Sequence, residues 1–233
     1  MAERLDKLLA STGRWSRSEA RRLVREGRVL VDGRIAASAE EKYDAENVVI
    51  SVDNTPLSVG GHTYIMLHKP AGVLSATEDG RGRTVLDLLP EEYRRRGLFP
   101  VGRLDKDTEG LLLLTDDGIL AHELLSPRKH VDKLYYARLD GALDDADAAA
   151  FAAGMTLDDG TRCRPAGLAI LSENEALVTL REGKFHQIKR MFAARGRHVE
   201  YLRRLAMGPL RLDESLSPGE WRELTEAEEK MLK

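Results

Sequence analysis

The tetrapeptide Ser58-Val59-Gly60-Gly61 constrains the fold of this chain more than any other feature of its sequence. Two consecutive glycines behind small residues give the backbone little to pack and much conformational freedom, so a helix or strand is not expected to run through them. The 233 residues are therefore expected to build two cores. One belongs to a small domain of residues 1–59, the other to a larger domain of residues 60–233.

The N-terminal part reads as a complete module. Leu5, Leu8 and Leu9 recur at helical spacing, and Thr12-Gly13 ends that helix. Ser16-Arg17-Ser18-Glu19 has the S-x-x-E form of a capping box, in which Ser16 and Glu19 satisfy each other's exposed amides. The second helix runs from there to a stop at Gly27. Arg17, Arg21, Arg22 and Arg25 fall three and four apart along it, so several share a face. Val29-Leu30-Val31 reads as a strand, Asp32-Gly33 as a two-residue hairpin turn, and Arg34-Ile35-Ala36 as the start of the return.

Past the linker, Tyr64-Ile65-Met66-Leu67 reads as a buried strand stopped by Lys69-Pro70-Ala71-Gly72. Further strands are expected at 111–114, with a turn at Asp117-Gly118, and at 135–139 and 176–180. Helices are expected at 121–125 and 187–195, with a surface helix at 144–154. Strands and helices mixed without a regular βαβ rhythm point to an α+β fold.

Composition removes several classes. With 42% hydrophobic and 32% charged residues, the chain groups with globular rather than disordered proteins. The single cysteine, Cys163, excludes a disulfide framework or a cysteine-rich zinc site and suits a reducing cytoplasm. No run approaches the roughly 18 apolar residues of a membrane helix. The acid-bearing start MAERLDKLLASTG lacks the apolar stretch of a signal peptide. A cytoplasmic protein with no membrane partner is expected. There is no G-x-x-x-x-G-K-S/T loop, no G-x-G-x-x-G after a strand, no H-E-x-x-H and no G-x-S-x-G. His122 and His130 stand eight apart with no third ligand nearby. Chemistry without metal or cofactor is what remains.

The formal net charge of −3 argues against a polyanionic partner, yet its distribution argues for one. Residues 1–34 hold nine Lys/Arg and five Asp/Glu, and residues 35–59 hold one Lys and five acids. Residues 181–211 hold nine basic and two acidic residues, and residues 212–233 hold three and seven. Each basic segment reads either as a solvated face or as a surface for nucleic acid, the acids beside it limiting non-specific contact.

The densest chemistry lies in Gly102-Arg103-Leu104-Asp105-Lys106-Asp107-Thr108-Glu109-Gly110, a polar loop that leads straight into four leucines. A loop mounted on a buried strand is a firm base for a catalytic side chain. Arg103 and Lys106 beside Asp105 would hold its carboxylate ionised, as a nucleophile or base requires. The other reading of the same residues is a loop whose acids cap backbone amides.

This segment resembles the aspartate motif of the pseudouridine synthases that modify ribosomal RNA and carry an N-terminal S4-type RNA-binding module. Residues 4–36 resemble that module, and Met66-Leu67-His68-Lys69-Pro70-Ala71-Gly72 resembles the opening strand and Lys-Pro-x-Gly turn. Lys133-Leu134-Tyr135 resembles the Lys-x-Tyr strand, and 182–192, EGKFHQIKRMF, resembles the final basic motif. The resemblance implies a small S4-type (α-L) domain followed by a catalytic domain built on a mixed, mainly antiparallel β-sheet.

The same resemblance implies roles. Asp105 would be the catalytic aspartate, attacking the sugar or the base or taking a ribose proton. Tyr135 would stack on the extruded uracil, since a phenol offers an aromatic face and a polar tip. Lys189 would pair with Asp105, in a place where many relatives carry Arg and its bidentate fork, with Arg190 as backup. Arg103 would enter the RNA stack or bind phosphate. Arg17, Arg21, Arg22, Arg25, Lys184, His186, Gln187 and Arg190 would grip flanking RNA. General phosphate attraction is the alternative for Lys189, Arg190 and Arg203. No cofactor is implied. The likeness is greatest to members acting on small-subunit (16S) ribosomal RNA, so 16S rRNA or a small-subunit assembly intermediate is the expected partner of a monomer. A large-subunit (23S) synthase, or a non-catalytic S4-type ribosome-assembly protein, is the alternative.

Overall fold

Residues 2–126, 129 and 131–232 are described by the computed structural model of the chain. Contacts sort them into two units, Met1–Thr63 with Leu86–Phe99, and Tyr64–Val85 with Pro100–Lys233.

In the first unit the chain enters as β1 (Ala2–Arg4), continues as α1 (Leu5–Ser11) and reverses into α2 (Arg17–Arg25). The capping box forms: Ser16 Oγ accepts from the Glu19 amide, and Glu19 accepts from the Ser16 amide at 2.7 Å. β2 (Val29–Val31) and β3 (Arg34–Ile35) make a hairpin over Asp32 and Gly33, both at positive φ as a type I′ turn requires. β4 (Lys42–Asp44) pairs with β1, and β5 (Ile50–Val52) and β6 (Thr55–Leu57) complete a second sheet of order β3-β2-β5-β6. Leu5, Leu8 and Leu9 sit in its core with Leu23, Val29 and Ile50. The unit also takes in the short helix α3 (Glu91–Arg94). Arg96 ties that segment in, donating to the Thr12 carbonyl at 3.1 Å and to Thr63 Oγ1 at 2.8 Å.

The second unit opens on β7 (Tyr64–Lys69), followed by β8 (Phe99–Pro100), β9 (Glu109–Thr115), α4 (Gly118–Leu125), β10 (Lys133–Leu139) and α5 (Asp145–Ala153). Two short strands, β11 (Met155–Thr156) and β12 (Arg162–Cys163), precede the hairpin of β13 (Gly167–Ser172) and β14 (Glu175–Leu180). Then come α6 (Gln187–Ala193), β15 (Val199–Met207), β16 (Leu210–Arg211), β17 (Trp221–Glu223) and α7 (Glu226–Leu232). The main sheet runs β13-β14-β10-β15-β9-β7-β17, antiparallel throughout except where β15 meets β9. The fold is thus α+β with a mixed, mainly antiparallel sheet. Leu111 to Leu114 are all fully buried, which explains an unbroken apolar run where a half-exposed strand would alternate.

One expectation is corrected. Asp117-Gly118 is a helix start and not a turn: Asp117 caps α4, accepting from the amides of Ile119 and Leu120 at 3.1 and 3.0 Å. An Asp before a helix and an Asp in a turn do the same local work, accepting nearby amides, so the dipeptide alone does not separate them. The surface helix expected at 144–154 forms as α5, most of its residues exposed or half-buried and Phe151 and Asp147 fully buried.

Candidate active site

The loop before β9 is held from below by β7 and the turn that follows it. Lys69, with no exposed surface, donates from Nζ to the carbonyls of Pro70, Lys106 and Thr108 at 3.0, 3.2 and 2.9 Å. Burial pushes this ammonium down to about 8, while Asp107, Asp105 and Glu109 pull the other way. Three carbonyl acceptors also favour the form with three N–H donors. On the other side, the Ser75 hydroxyl donates to the Leu104 carbonyl at 3.0 Å and accepts from the Leu104 amide. The Gly72 amide donates to the Lys106 carbonyl at 2.7 Å. Asp105 is therefore flanked by fixed backbone on both sides. Neither Lys69 nor Ser75 carried a role in the sequence reading. The buried strand ahead of Lys69 and its place in the Lys-Pro-x-Gly motif were the available signals, and nothing marked Ser75.

α6 supplies the partners of Asp105. Lys189 Nζ lies 3.2 Å from Asp105 Oδ2 and 2.5 Å from Asp107 Oδ1. That bond holds the Asp107 carboxyl below its usual range. His186 Nε2 stands 3.6 Å from Asp105 Oδ1, an ion pair only when the imidazole is protonated. Both carboxylate oxygens thus face a nitrogen, and the Asp105 side chain keeps 25% of its surface open to solvent. Asp105, His186 and Lys189 line a cleft of about 550 Å³ whose wall also includes Arg103, Tyr135, Leu180, Ile188 and Leu202. Tyr135 is buried on β10, beside a shift in register against β15 that leaves Leu205 unopposed. Arg103 is exposed at the rim.

Lys184 and Gln187 also line the cleft, but with much of their polar capacity engaged. Lys184 Nζ donates to the Arg162 carbonyl. Gln187, 4% exposed, donates to Glu182 at 2.7 Å and accepts from the Lys184 amide at 3.0 Å. Arg190 is not a backup for Lys189: it pairs with Asp159 at 2.5 Å and donates to the Phe185 carbonyl at 3.3 Å. Consecutive helical residues point about 100° apart, so both cannot reach Asp105.

The basic segments are less basic in space than along the chain. Arg195 and Arg197 both bind buried Asp147, and Arg181 binds Asp132. Arg204 is buried, its Nε donating to the Leu111 carbonyl at 2.7 Å. On α2, Arg17 and Arg21 reach the buried carboxylate of Asp6, which also takes Arg4. Arg22 lies 3.7 Å from Glu26, and Arg25 is exposed. Sequence reasoning missed Asp6 and Asp147, each an acid set among apolar helical residues. Among the described residues no three His, Cys, Asp or Glu side chains converge as for a metal. His130 lies outside the described residues. No helix among them is long and apolar enough to cross a membrane.

Residues 63–194 match the family model for RNA pseudouridylate synthase, and residues 3–49 match the S4 domain. An uncharacterized RNA pseudouridine synthase of Bacillus subtilis is 46% identical over 229 residues, covering 97% of this chain and 96% of that protein. Ribosomal small subunit pseudouridine synthase A of Escherichia coli is 42% identical over 227 residues, 97% of each. A crystal structure of a pseudouridylate synthase matches with TM-score 0.70 at 36% identity, covering 98% of this chain and 99% of that one. A cleft built around the aspartate loop, matches along nearly the whole chain and an S4 module ahead of them lead to one conclusion: this protein belongs to the RNA pseudouridylate synthase family and is an isomerase.

Proposed function

We propose that this protein converts one uridine of small-subunit (16S) ribosomal RNA to pseudouridine, acting in the cytoplasm as a monomer on the RNA or on an assembly intermediate. The observation that carries this reading is the Asp105–Lys189 pair, 3.2 Å apart in the wall of a partly apolar cleft. The 42% identity with the small-subunit enzyme of Escherichia coli supports the choice of RNA.

The reaction breaks the bond between C1′ of the ribose and N1 of uracil, turns the base, and joins C1′ to C5, which gives up its proton while the freed N1 takes one up. Atoms and oxidation state are conserved, so it draws on no external group. Asp105 supplies the carboxylate, as nucleophile or as base, and Lys189, paired with it at 3.2 Å, orients it. Tyr135 presents its ring to the extruded uracil. Removing the base from its stack costs a few kcal/mol, which a grip on flanking RNA offsets. Arg103 and His186 in the catalytic domain of residues 60–233 provide part of that grip, while Lys184, Gln187 and Arg190 brace the segment that carries His186. Arg22 and Arg25 in the S4-type domain of residues 1–59 provide the rest, beside Arg17 and Arg21 held on Asp6.

Asp105→Asn is expected to abolish pseudouridine formation in a tritium-release assay while leaving RNA affinity within a few-fold. A variant that modifies rRNA at the wild-type rate refutes the assignment. Mapping pseudouridines in 16S and 23S rRNA from cells lacking the protein tests the substrate. Loss of one site in 16S rRNA is expected, and loss only in 23S rRNA would move the activity to the large subunit.

A further inference from the structure

We propose that Phe185 is a stacking platform for the RNA base adjacent to the target uridine, an inference that rests on the cleft being the uridine site. Among the described residues with large, exposed apolar side chains, Phe185 is the aromatic one, 75% exposed, and the one that lines the cleft. A lone exposed apolar residue is ordinary on a protein surface. This one is built in. One face of its ring lies on the His186 imidazole, centroids 3.8 Å apart and planes 19° from parallel. His186 Nε2 is in turn 3.6 Å from Asp105. A stack therefore runs outward from the reactive carboxylate, and its outermost ring presents a second face to solvent.

The backbone beneath is held on both sides. Arg190, anchored on Asp159 at 2.5 Å, donates to the Phe185 carbonyl, and the Lys184 amide donates to Gln187 Oε1 at 3.0 Å. A ring already fixed loses little freedom when a ligand stacks on it. The platform is one ring wide, far below the few hundred Å² of apolar surface that marks a protein partner. It matches one nucleobase, any of which offers a π-face.

The test uses full-length wild-type protein with F185A, F185L and F185W. The substrate is an RNA hairpin carrying the mapped uridine, with 2-aminopurine replacing one or the other neighbouring nucleotide. F185A is expected to raise KM about tenfold with kcat held within about twofold, F185W to restore KM, and F185L to fail to do so. Wild type and F185W should quench 2-aminopurine at one neighbouring position, and F185A should not. The thermal midpoint of F185A should match wild type because the ring is exposed. A KM for F185A within about twofold of wild type, equal performance of F185L and F185W, or quenching that survives in F185A overturns the proposal. So does a fall in kcat at constant KM, which would make the ring a support for His186. Wild type that quenches without forming pseudouridine refutes the proposed reaction and leaves the platform standing. Pseudouridine formed by F185A with both KM and kcat at wild-type values does the reverse.

Discussion

Asp6 has no exposed surface, and its oxygens take hydrogen bonds from Arg4, Arg17 and Arg21 at distances from 2.8 to 3.2 Å. Burial raises its carboxyl, but the three guanidinium groups outweigh burial and hold it at about 2, against an ordinary 3.8. A group whose folded value is depressed contributes stability that is present above its unfolded value and lost as pH falls through the folded one. Asp6 therefore stabilises the N-terminal unit by about 2 kcal/mol above pH 4. The urea-unfolding gap between wild type and Asp6→Asn should shrink by about that amount as pH drops from 4 towards 2. A gap independent of pH would show that the arginines do not hold this carboxylate. At this scale the chain was partly legible. The Asp105 and Lys189 motifs could be matched as motifs, whereas Ser75 and Lys69 act through hydrogen bonds to backbone about 30 to 40 positions away, which leave no local pattern.

At the scale of elements, β9 depends on a glycine. Gly110 sits at φ +104°, and a Cβ there would fall 2.2 Å from the carbonyl oxygen and 2.6 Å from the nitrogen of Arg204 in β15. This is the one parallel pairing along the strand order β13-β14-β10-β15-β9-β7-β17, and Asp105 lies five residues upstream. Gly110→Ala is expected to part the two strands, destabilise the protein by about 3 kcal/mol in urea unfolding and disturb the Asp105 loop. Stability within about 0.5 kcal/mol of wild type would refute that account. Helices α1, α2, α4, α5 and α6 and strands β2, β3, β7, β9, β10 and β14 were readable, because helix caps, turn residues and apolar periodicity are local signals, whereas the nine-residue β15 and most of the short strands were not. The pairing of β9 with β15 was not, since their partners are about 94 residues apart in the chain.

Across the whole molecule, RNA affinity depends on which cations remain available to phosphate. Arg22 and Arg25 lie on the exposed surface of α2, away from the Asp6 cluster. The double variant Arg22→Glu/Arg25→Glu in the full chain should weaken RNA binding. It should also flatten the slope of log K against log salt by about 0.7 to 0.9 for each phosphate left without its arginine. Turnover at saturating RNA should stay within about twofold of wild type. An unchanged slope would show that this face does not hold RNA. The full chain is the right vehicle, because the N-terminal unit includes Leu86–Phe99 and cutting at residue 59 would divide it.

What the sequence determined by itself was local or carried by motif: the capped helices, the Asp32-Gly33 hairpin, the buried leucine strand, the α+β class and the family likeness. Each follows from interactions within a few residues or from a pattern that survives in linear order. Tertiary structure alone decided where the charges go. Along the chain, residues 181–211 read as nine basic residues against two acids. In space Asp147, Asp159 and Asp132, which lie outside that segment, take Arg195, Arg197, Arg190 and Arg181 out of it. Tertiary structure also brought Lys189 and His186 to opposite oxygens of Asp105. Ion pairs form between groups close in space whatever their separation in the chain, so a linear count of charge cannot foretell them.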